Sequence, residues 1–421
     1  MNSKIQEYTE YCLNCKAKPC KDKGCPLSND IPTFIKLAKE GQIKKAYEVL
    51  IQTTMLGSVC GRICPHEKQC QGSCVRGVKG EPVQIGKIES YVFDEALKNG
   101  YDKEILKEDG LKGKNVAVVG SGPAGLSAGS FLARSGANVT IYEKYNKLGG
   151  ILAHGIPEFR MPKEVLERTI KQIINLGIQV ELNKELGKNV TIEELEHKYD
   201  AIFLAFGANV PSKMNIEGEN LEGVYGGNSL LENGNHPNYE GKRVAVIGGG
   251  NVAMDCSRTI NKMGAKKVYV IYRRAEEQMP AERKEIEDAK KEGVEFLFQN
   301  NIVKIIGKEK VEKLECIKTE LIQKENDARP SPVNIENSNY EIDVDYVIMA
   351  IGSKPEKEIV NNLNLKLTEK GYLKINEKHQ TSKAKVFAGG DLAGEKQTVA
   401  WAAKAGREAA KSIEEYLKNI K

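Results

Sequence analysis

Three features of this 421-residue sequence predict an α/β protein with two dinucleotide-binding units behind a separate helical segment. Two of them are copies of one layout: "KNVAVVGSGPAGLSAGSFLARSGANVTIYEK" at 114–144 and "KRVAVIGGGNVAMDCSRTINKMGAKKVYVIYRR" at 242–274. Each reads as an apolar strand, a glycine-rich turn, a small-residue helix and a second strand. The third is a crowding of thiols: eight of the ten cysteines lie between Cys12 and Cys74.

Residues 1–111 read as helices between cysteine loops. "SNDIPTFIKLAKEG" offers Asp30 as N-cap, Pro32 in the first turn, an apolar stripe and a glycine stop. "QIKKAYEVLIQTT" continues as a second helix, and "VQIGKIESYVFDEALKNG" as a third that ends at Gly100. From 112 onward strands alternate with helices. "DAIFLAFGANVP" (200–211) is echoed by "DYVIMAIGSKPE" (345–356), and the chain closes with a strand, a Gly-Asp turn and a long helix. Two lobes are expected to meet in sequence near 233–238 and after Gly352.

Composition removes several classes. Charged residues make up 29% and apolar residues 40%, and the net charge of +5 comes from interspersed signs, so neither nucleic acid nor a membrane is an expected partner. No apolar run approaches the ~18 residues of a spanning helix. "MNSKIQEYTEYC" lacks the apolar core of a signal peptide. The expected compartment is the cytoplasm, where thiols stay reduced and clustered cysteines point to a metal before a disulfide framework.

The first turn, Gly120-Ser121-Gly122-Pro123-Ala124-Gly125, is a full GxGxxG; the second, Gly248-Gly249-Gly250-Asn251-Val252-Ala253, is a GxGxxA. The first glycine makes the tight turn, the second admits a pyrophosphate, and the third small residue lets helix and strand pack closely. The helix N-terminus then offers N–H groups and a positive dipole end to the anion. The residue closing the second strand tells the two apart. Glu143, followed by Lys144, supplies a carboxylate for a ribose diol, as FAD requires. Arg273 and Arg274 would instead clamp the 2′-phosphate of NADPH, although Glu276 and Glu277 are placed to pair with them. In "VFAGGDLA", Gly390 and Asp391 end a strand where a carboxylate would hold flavin ribityl hydroxyls. The helix from Thr398 and Val399 would aim its positive end at the flavin pyrimidine edge.

From 112 to 421 the chain resembles the glutathione-reductase-like flavoproteins. That resemblance implies a Rossmann-like FAD domain split into 112–236 and 353–421 by an inserted NAD(P)H domain at 237–352. Such reductases commonly use a redox cysteine pair, and none is present here. Cys256 and Cys316 are expected as small core residues.

The cysteine spacings are C-x2-C-x4-C-x4-C and C-x3-C-x5-C-x3-C. Neither the paired short loops of zinc sites nor the bacterial ferredoxin run fits, so spacing alone leaves iron–sulfur and zinc both open. A flavin neighbour favours iron–sulfur, because clusters carry the single electrons that a flavin releases, whereas zinc does no redox work. The whole chain resembles the small subunit of bacterial glutamate synthase and its relatives, which include the flavin half of dihydropyrimidine dehydrogenase and the large subunit of NADH-dependent ferredoxin:NADP oxidoreductases. The stretches that carry the resemblance are "CLNCKAKPC", "VCGRICPHEKQCQGSC", "VQIGKIESYVFD", "GSGPAGLSAG", "GGILAHGIPEFRMPKEV", "GGGNVAMD", "VIYRRAEEQMPA" and "AGGDLAGEKQTVAWAAKAGREAA".

The resemblance implies two [4Fe–4S] clusters that do not follow chain order. One would sit on Cys12, Cys15, Cys20 and Cys74, the other on Cys25, Cys64 and Cys70 with Glu89 as fourth ligand. The alternative is Cys60 as the fourth thiolate, with Glu89 a surface carboxylate. The resemblance also sets Gly150 and Arg160, in "GGILAHGIPEFRMP", beside the flavin. His154 is expected to orient or pack, since hydride transfer needs no side-chain base, and no catalytic side chain is expected. His66 reads as a loop residue and Trp401 as packing for the last helix.

The implied activity is electron input: NADPH reduces FAD by hydride transfer, and single electrons pass through two clusters to a flavin-containing partner subunit. Glutamate synthase is the first expectation for that partner. A pyrimidine-reducing FMN subunit, or a bifurcating subunit with ferredoxin, is the alternative. A reading of another class is a stand-alone flavin reductase with a structural zinc domain.

Overall fold

The computed structural model describes residues 3–323 and 329–420. In the N-terminal segment five helices frame the cysteine loops: α1 (Ser3–Glu10), α2 (Ile31–Lys39), α3 (Ile43–Leu50), α4 (Gly57–Ile63) and α5 (Ile85–Lys98). Their apolar stripes meet in a core that holds Phe34, Tyr47, Leu50 and Phe93, with the Tyr47 and Phe93 rings edge to face at 5.1 Å. Helices α4 and α5 cross with almost nothing between them. A Cβ at Gly61 would meet the Gly86 carbonyl, and one at Gly57 would enter the Phe93 ring. This close approach turns Glu89, one turn past Gly86, inward. Asp30 does stand at the start of α2, but it makes no side-chain cap; its carboxylate takes the Lys18 ammonium at 2.8 Å. A charged partner outbids the helix N–H groups.

The βα pattern then follows: β1 (Asn115–Val119), α6 (Pro123–Arg134), β2 (Asn138–Tyr142), α7 (Ile151–His154), α8 (Lys163–Ile174), β3 (Gln179–Glu181), α9 (Ile192–Lys198) and β4 (Ala201–Leu204). After Ala208 the chain enters a second compact unit, Asn209–Lys354, and returns to the first at Pro355. The second unit contains β5 (Val210–Pro211), β6 (Val224–Gly226), α10 (Gly227–Asn233), β7 (Arg243–Ile247), α11 (Asn251–Lys262), β8 (Lys267–Tyr272), α12 (Arg283–Lys291), β9 (Glu295–Phe298), β10 (Asn300–Ile306), β11 (Lys313–Ile322), β12 (Ser331–Asn334), β13 (Tyr340–Asp343), β14 (Tyr346–Met349) and β15 (Ser353–Lys354). The first unit resumes with α13 (Lys357–Asn362), β16 (Val386–Ala388) and α14 (Val399–Asn419). The outward crossing lies earlier than 233–238. The reason is that β5 pairs with β15, and β6 pairs with β14, so segment 209–236 belongs to the second sheet system.

The first unit's parallel sheet runs β16-β4-β1-β2-β3, and the second unit's runs β6-β14-β7-β8-β9. In each, the strand order reverses beside the strand that feeds a glycine-rich turn: β1 next to β4, and β7 next to β14. A ligand crevice opens at the carboxyl ends of such strands. Both central strands are continuous apolar runs, as fully covered parallel strands must be. Each buried Val or Ile side chain there contributes roughly 1.5–3 kcal/mol. Strands β10 to β13 form a separate antiparallel sheet in the second unit. Among the described residues no helix is long and apolar enough to cross a membrane.

Candidate functional site

The first glycine-rich turn divides its work as the motif predicts. Gly120 has φ +99°, and a Cβ there would stand 2.6 Å from the Ala205 carbonyl. A Cβ at Gly125 would strike the Gly120 carbonyl, so α6 packs on the turn only without a side chain. At Gly122 nothing lies within 4 Å, which leaves open space where a pyrophosphate must approach the backbone. Pro123 and Ala124 open α6 directly behind it. Glu143 is buried at the end of β2. Its carboxylate accepts from the Ser121 N–H at 3.0 Å, from the Ser121 hydroxyl, and from the Tyr145 N–H at 3.0 Å. Ser121 Oγ accepts in turn from Gly149 N–H at 2.9 Å, and a Cβ on Gly150 would press on Gly122. Lys144 lies 4.6 Å from the Tyr145 ring centroid, and that ring packs on His154 at 4.3 Å, a packing role for the histidine. Arg160 is half-buried in the loop before α8.

The closing segment meets this turn from the other side. A Cβ on Gly390 would come 3.2 Å from Ala124 Cβ. Burial, with Glu395 adding to it, pushes the Asp391 carboxyl up to about 6. Thr398 caps α14 by accepting from Trp401 N–H, with Val399 the first helical residue. Trp401 is half-buried between Lys396 and Lys404, at 4.5 and 4.9 Å, so it packs the helix as expected.

In the second turn a Cβ at Gly248 would strike the Ala350 carbonyl, whereas Gly250 has only Pro280 nearby, at 3.9 Å. Ala253 is fully buried, and Val252 packs on the same core. The loop after β8 closes over the turn: Ala281 N–H donates to Gly249 O at 3.1 Å, and Glu282 N–H to Asn251 Oδ1 at 3.0 Å. The two arginines differ. Arg273 is exposed, while Arg274 is half-buried and donates from Nε to the Pro330 carbonyl at 2.9 Å. Glu276 pairs with Lys290 at 2.6 Å rather than with either.

The N-terminal cysteines fall into two groups. Cys12, Cys15, Cys20 and Cys74 line one cavity with Leu13, Val75 and Arg76. Burial pushes the Cys20 thiol up to about 11, with Cys74 and Cys12 adding to the effect. Cys25, Cys64, Cys70 and Glu89 form the other group: each of these thiols feels the Glu89 carboxylate. Burial raises the Cys25 thiol to about 12 and the Glu89 carboxyl to about 8. Cys60 belongs to the same surroundings and hydrogen-bonds Cys64, so both candidates for a fourth ligand stand at this group. Glu89 is buried, not a surface carboxylate.

Burial raises the Cys12 and Cys20 thiols in one group and the Cys25 and Cys70 thiols in the other, and a cationic centre would ionise and hold such soft donors, so the residues fit an iron–sulfur cluster. Among the described residues no three His, Cys, Asp or Glu side chains converge tightly enough for a single metal ion, while a cubane spreads its ligands over its corner irons. His66 is not a loose loop residue. Its ring is pressed against Gly86 between α4 and α5, and burial lowers it to about 4. Cys256 and Cys316 are core residues of two different clusters.

The glutamate synthase [NADPH] small chain of Escherichia coli is 37% identical over 428 residues, covering 96% of this chain and 90% of its own. That of Halomonas elongata is 36% identical over 423 residues, covering 96% and 89%. The chain belongs to the glutamate synthase small-chain family. The pyridine nucleotide-disulphide oxidoreductase family matches residues 114–409, and the dihydropyrimidine dehydrogenase domain II, 4Fe-4S cluster family matches residues 1–101. The fold alone is shared with Mycobacterium tuberculosis FprA in complex with NADPH, with TM-score 0.64 at 19% identity over 73% of this chain and 85% of that one. This glutamate synthase small-chain relative is thus a flavin-dependent pyridine-nucleotide oxidoreductase carrying a 4Fe–4S domain.

The contacts of three residues at this site escape motif reading. Gln69, beside Cys70, donates to Thr398 Oγ1 at 3.5 Å, which brings the second cysteine group to the start of α14. Arg407, on α14, reaches the Leu27 and Thr53 carbonyls at 2.7 and 3.1 Å. Asn29 donates to Glu89 at 3.0 Å. Only the dense polar punctuation of residues 27–30 and 52–54 hints at them.

Proposed function

We propose that this protein is the electron-input subunit of a glutamate synthase type enzyme, taking electrons from NADPH through FAD and two [4Fe–4S] clusters to a partner subunit. In this reading residues 1–111 hold the clusters, 112–208 and 355–421 the FAD, and 209–354 the NADPH. When bound, the nicotinamide and flavin supply hydride chemistry and the clusters supply one-electron steps. The chain's own groups position and tune. Gly122 and the start of α6 receive one pyrophosphate, Glu143 a ribose, and Asp391 and Thr398 the flavin. Gly250 and Asn251 face the second dinucleotide, and Arg273 its 2′-phosphate.

One observation carries the order of transfer. The inner group adjoins the flavin-side helix through Gln69 and Thr398, and it lies near enough to the outer group for Cys20 to act electrostatically on Cys70. The outer group opens beside the exposed apolar side chains of Leu13 and Val75. Electrons would therefore enter at Cys25, Cys64, Cys70 and Glu89, and leave from Cys12, Cys15, Cys20 and Cys74 into a docked partner. A second acceptor has support from one relative: the NADP(+)-dependent formate dehydrogenase subunit beta of Moorella thermoacetica, 35% identical over 95% of this chain. The dihydropyrimidine and ferredoxin partners remain alternatives of the same kind.

Anaerobic purification followed by iron, sulfide and flavin analysis, with NADPH and NADH titrated separately, tests the reading. About eight irons per FAD, bleached by NADPH at far lower concentration than NADH, is the expected result. Zinc in place of iron would leave a flavin reductase with a structural N-terminal domain.

A further inference from the structure

Asn29 is nearly inaccessible, at 1% exposure, and sits between two functional residues distant in sequence. Its side-chain amide donates to Glu89 Oε1 at 3.0 Å and accepts the Thr53 hydroxyl at 2.6 Å. Only one amide orientation satisfies both ends when the carboxylate is charged. Its backbone serves the same site. Ser28 takes φ +56°, a left-handed conformation unusual for serine, and the N–H groups of Leu27 and Asn29 on either side both donate to the Cys25 sulfur. The loop is clamped from outside. Arg407 of α14 donates to the carbonyls of Leu27 and Thr53, so the two backbone stretches that hold Asn29 are tied to the helix that begins at Thr398.

We propose that Asn29 is a positioning residue for the inner cluster, fixing Glu89 as its oxygen ligand through an Arg407–Thr53–Asn29 network and thereby setting that cluster's potential. This rests on the electron-input reading and on Glu89 rather than Cys60 completing the set. A donor on a ligating carboxylate draws charge away from it. Removing the donor makes the oxygen a stronger ligand, favours the oxidised cluster and lowers its reduction potential.

The test uses full-length protein purified anaerobically with its cofactors. Asn29→Leu keeps the branched heavy-atom shape and removes the donor; Thr53→Val frees the amide from its hydroxyl; Thr53→Ser restores that hydroxyl. Iron content and potentiometric EPR titration are read for each. The inner-cluster potential is expected to fall in Asn29→Leu, to fall less in Thr53→Val, and to return in Thr53→Ser, with the outer cluster unmoved. Selective loss of about four irons per FAD in Asn29→Leu, with flavin still reduced by NADPH, carries the same meaning. Full iron with both potentials and both spectra unchanged in Asn29→Leu overturns the proposal. If that variant fails to fold, unchanged potentials in Thr53→Val overturn it. Wild-type protein lacking cluster iron would sink the electron-input reading instead, and is separable because it needs no variant.

Discussion

The two βαβ units are nearly the same object up to the end of their second strands, and then diverge. Both give the same three tasks to small residues, with Ala253 standing where the first unit has Gly125, and both leave open space only at the middle one, Gly122 or Gly250. After β2 comes Glu143, buried and locked by the N–H groups of its own turn. After β8 comes Arg273, exposed to solvent. Under the proposed function, pyrophosphate binding would be written in the backbone, where little can vary, and choice of dinucleotide in one side chain whose setting differs completely: a preorganised carboxylate in one unit and an open cation in the other.

The sharpest way to break the parallel is to fill the glycines. Gly125→Val drives a side chain into the Gly120 carbonyl, so soluble, folded protein is expected to be lost. Gly122→Ala enters free space, so circular dichroism should be native while bound flavin disappears. A folded Gly125→Val would show that α6 does not need the close approach. Arg273→Ala removes a charge-assisted contact of about 1.5–3 kcal/mol, so KM for NADPH should rise roughly 10–100-fold with NADH unchanged. Arg274→Ala should leave both KM values close to wild type, because its Nε is already committed to Pro330. Equal effects of the two would erase the difference drawn between them. Glu143→Gln turns an amide NH2 towards one of the N–H donors, at a cost of about 1–3 kcal/mol, visible as a lower melting temperature of flavin-free protein.

The smallest effect concerns Asp391. Its folded carboxyl is raised to about 6 from an ordinary 3.8, so protonation favours the fold. That stabilisation is complete below about pH 4 and is lost as pH rises through 6. The melting temperature of flavin-free protein, compared with Asp391→Asn, should gain between pH 7 and pH 4; a constant difference would contradict it.

What could be seen in the sequence was what local chemistry dictates. Gly120 and Gly248 announce turns that other residues cannot make, and β1 and β7 announce themselves as buried parallel strands. Chain order did not predict the cysteine grouping; only the likeness to a family did, since Cys74 must cross the helices to join Cys12. Asp30 failed as a cap because Lys18, twelve positions away, competes for it. The outward crossing was misplaced because the pairing of β5 with β15 spans the whole inserted unit. Asn29, Glu89 and Arg407 stayed invisible as a set because nothing local links positions so far apart.

The insertion between β4 and β16 also dictates a calendar for biosynthesis. The first unit's sheet keeps β4 as a raw edge until the ribosome has made all of the second unit, a delay on the order of ten seconds at roughly 5–20 residues per second. The carbonyls of Leu27 and Thr53 wait longer still, for Arg407. A chain that ends between β14 and β16 has its cysteines and both glycine turns, yet lacks Arg407 and leaves β4 as an unpaired edge open to cellular proteases.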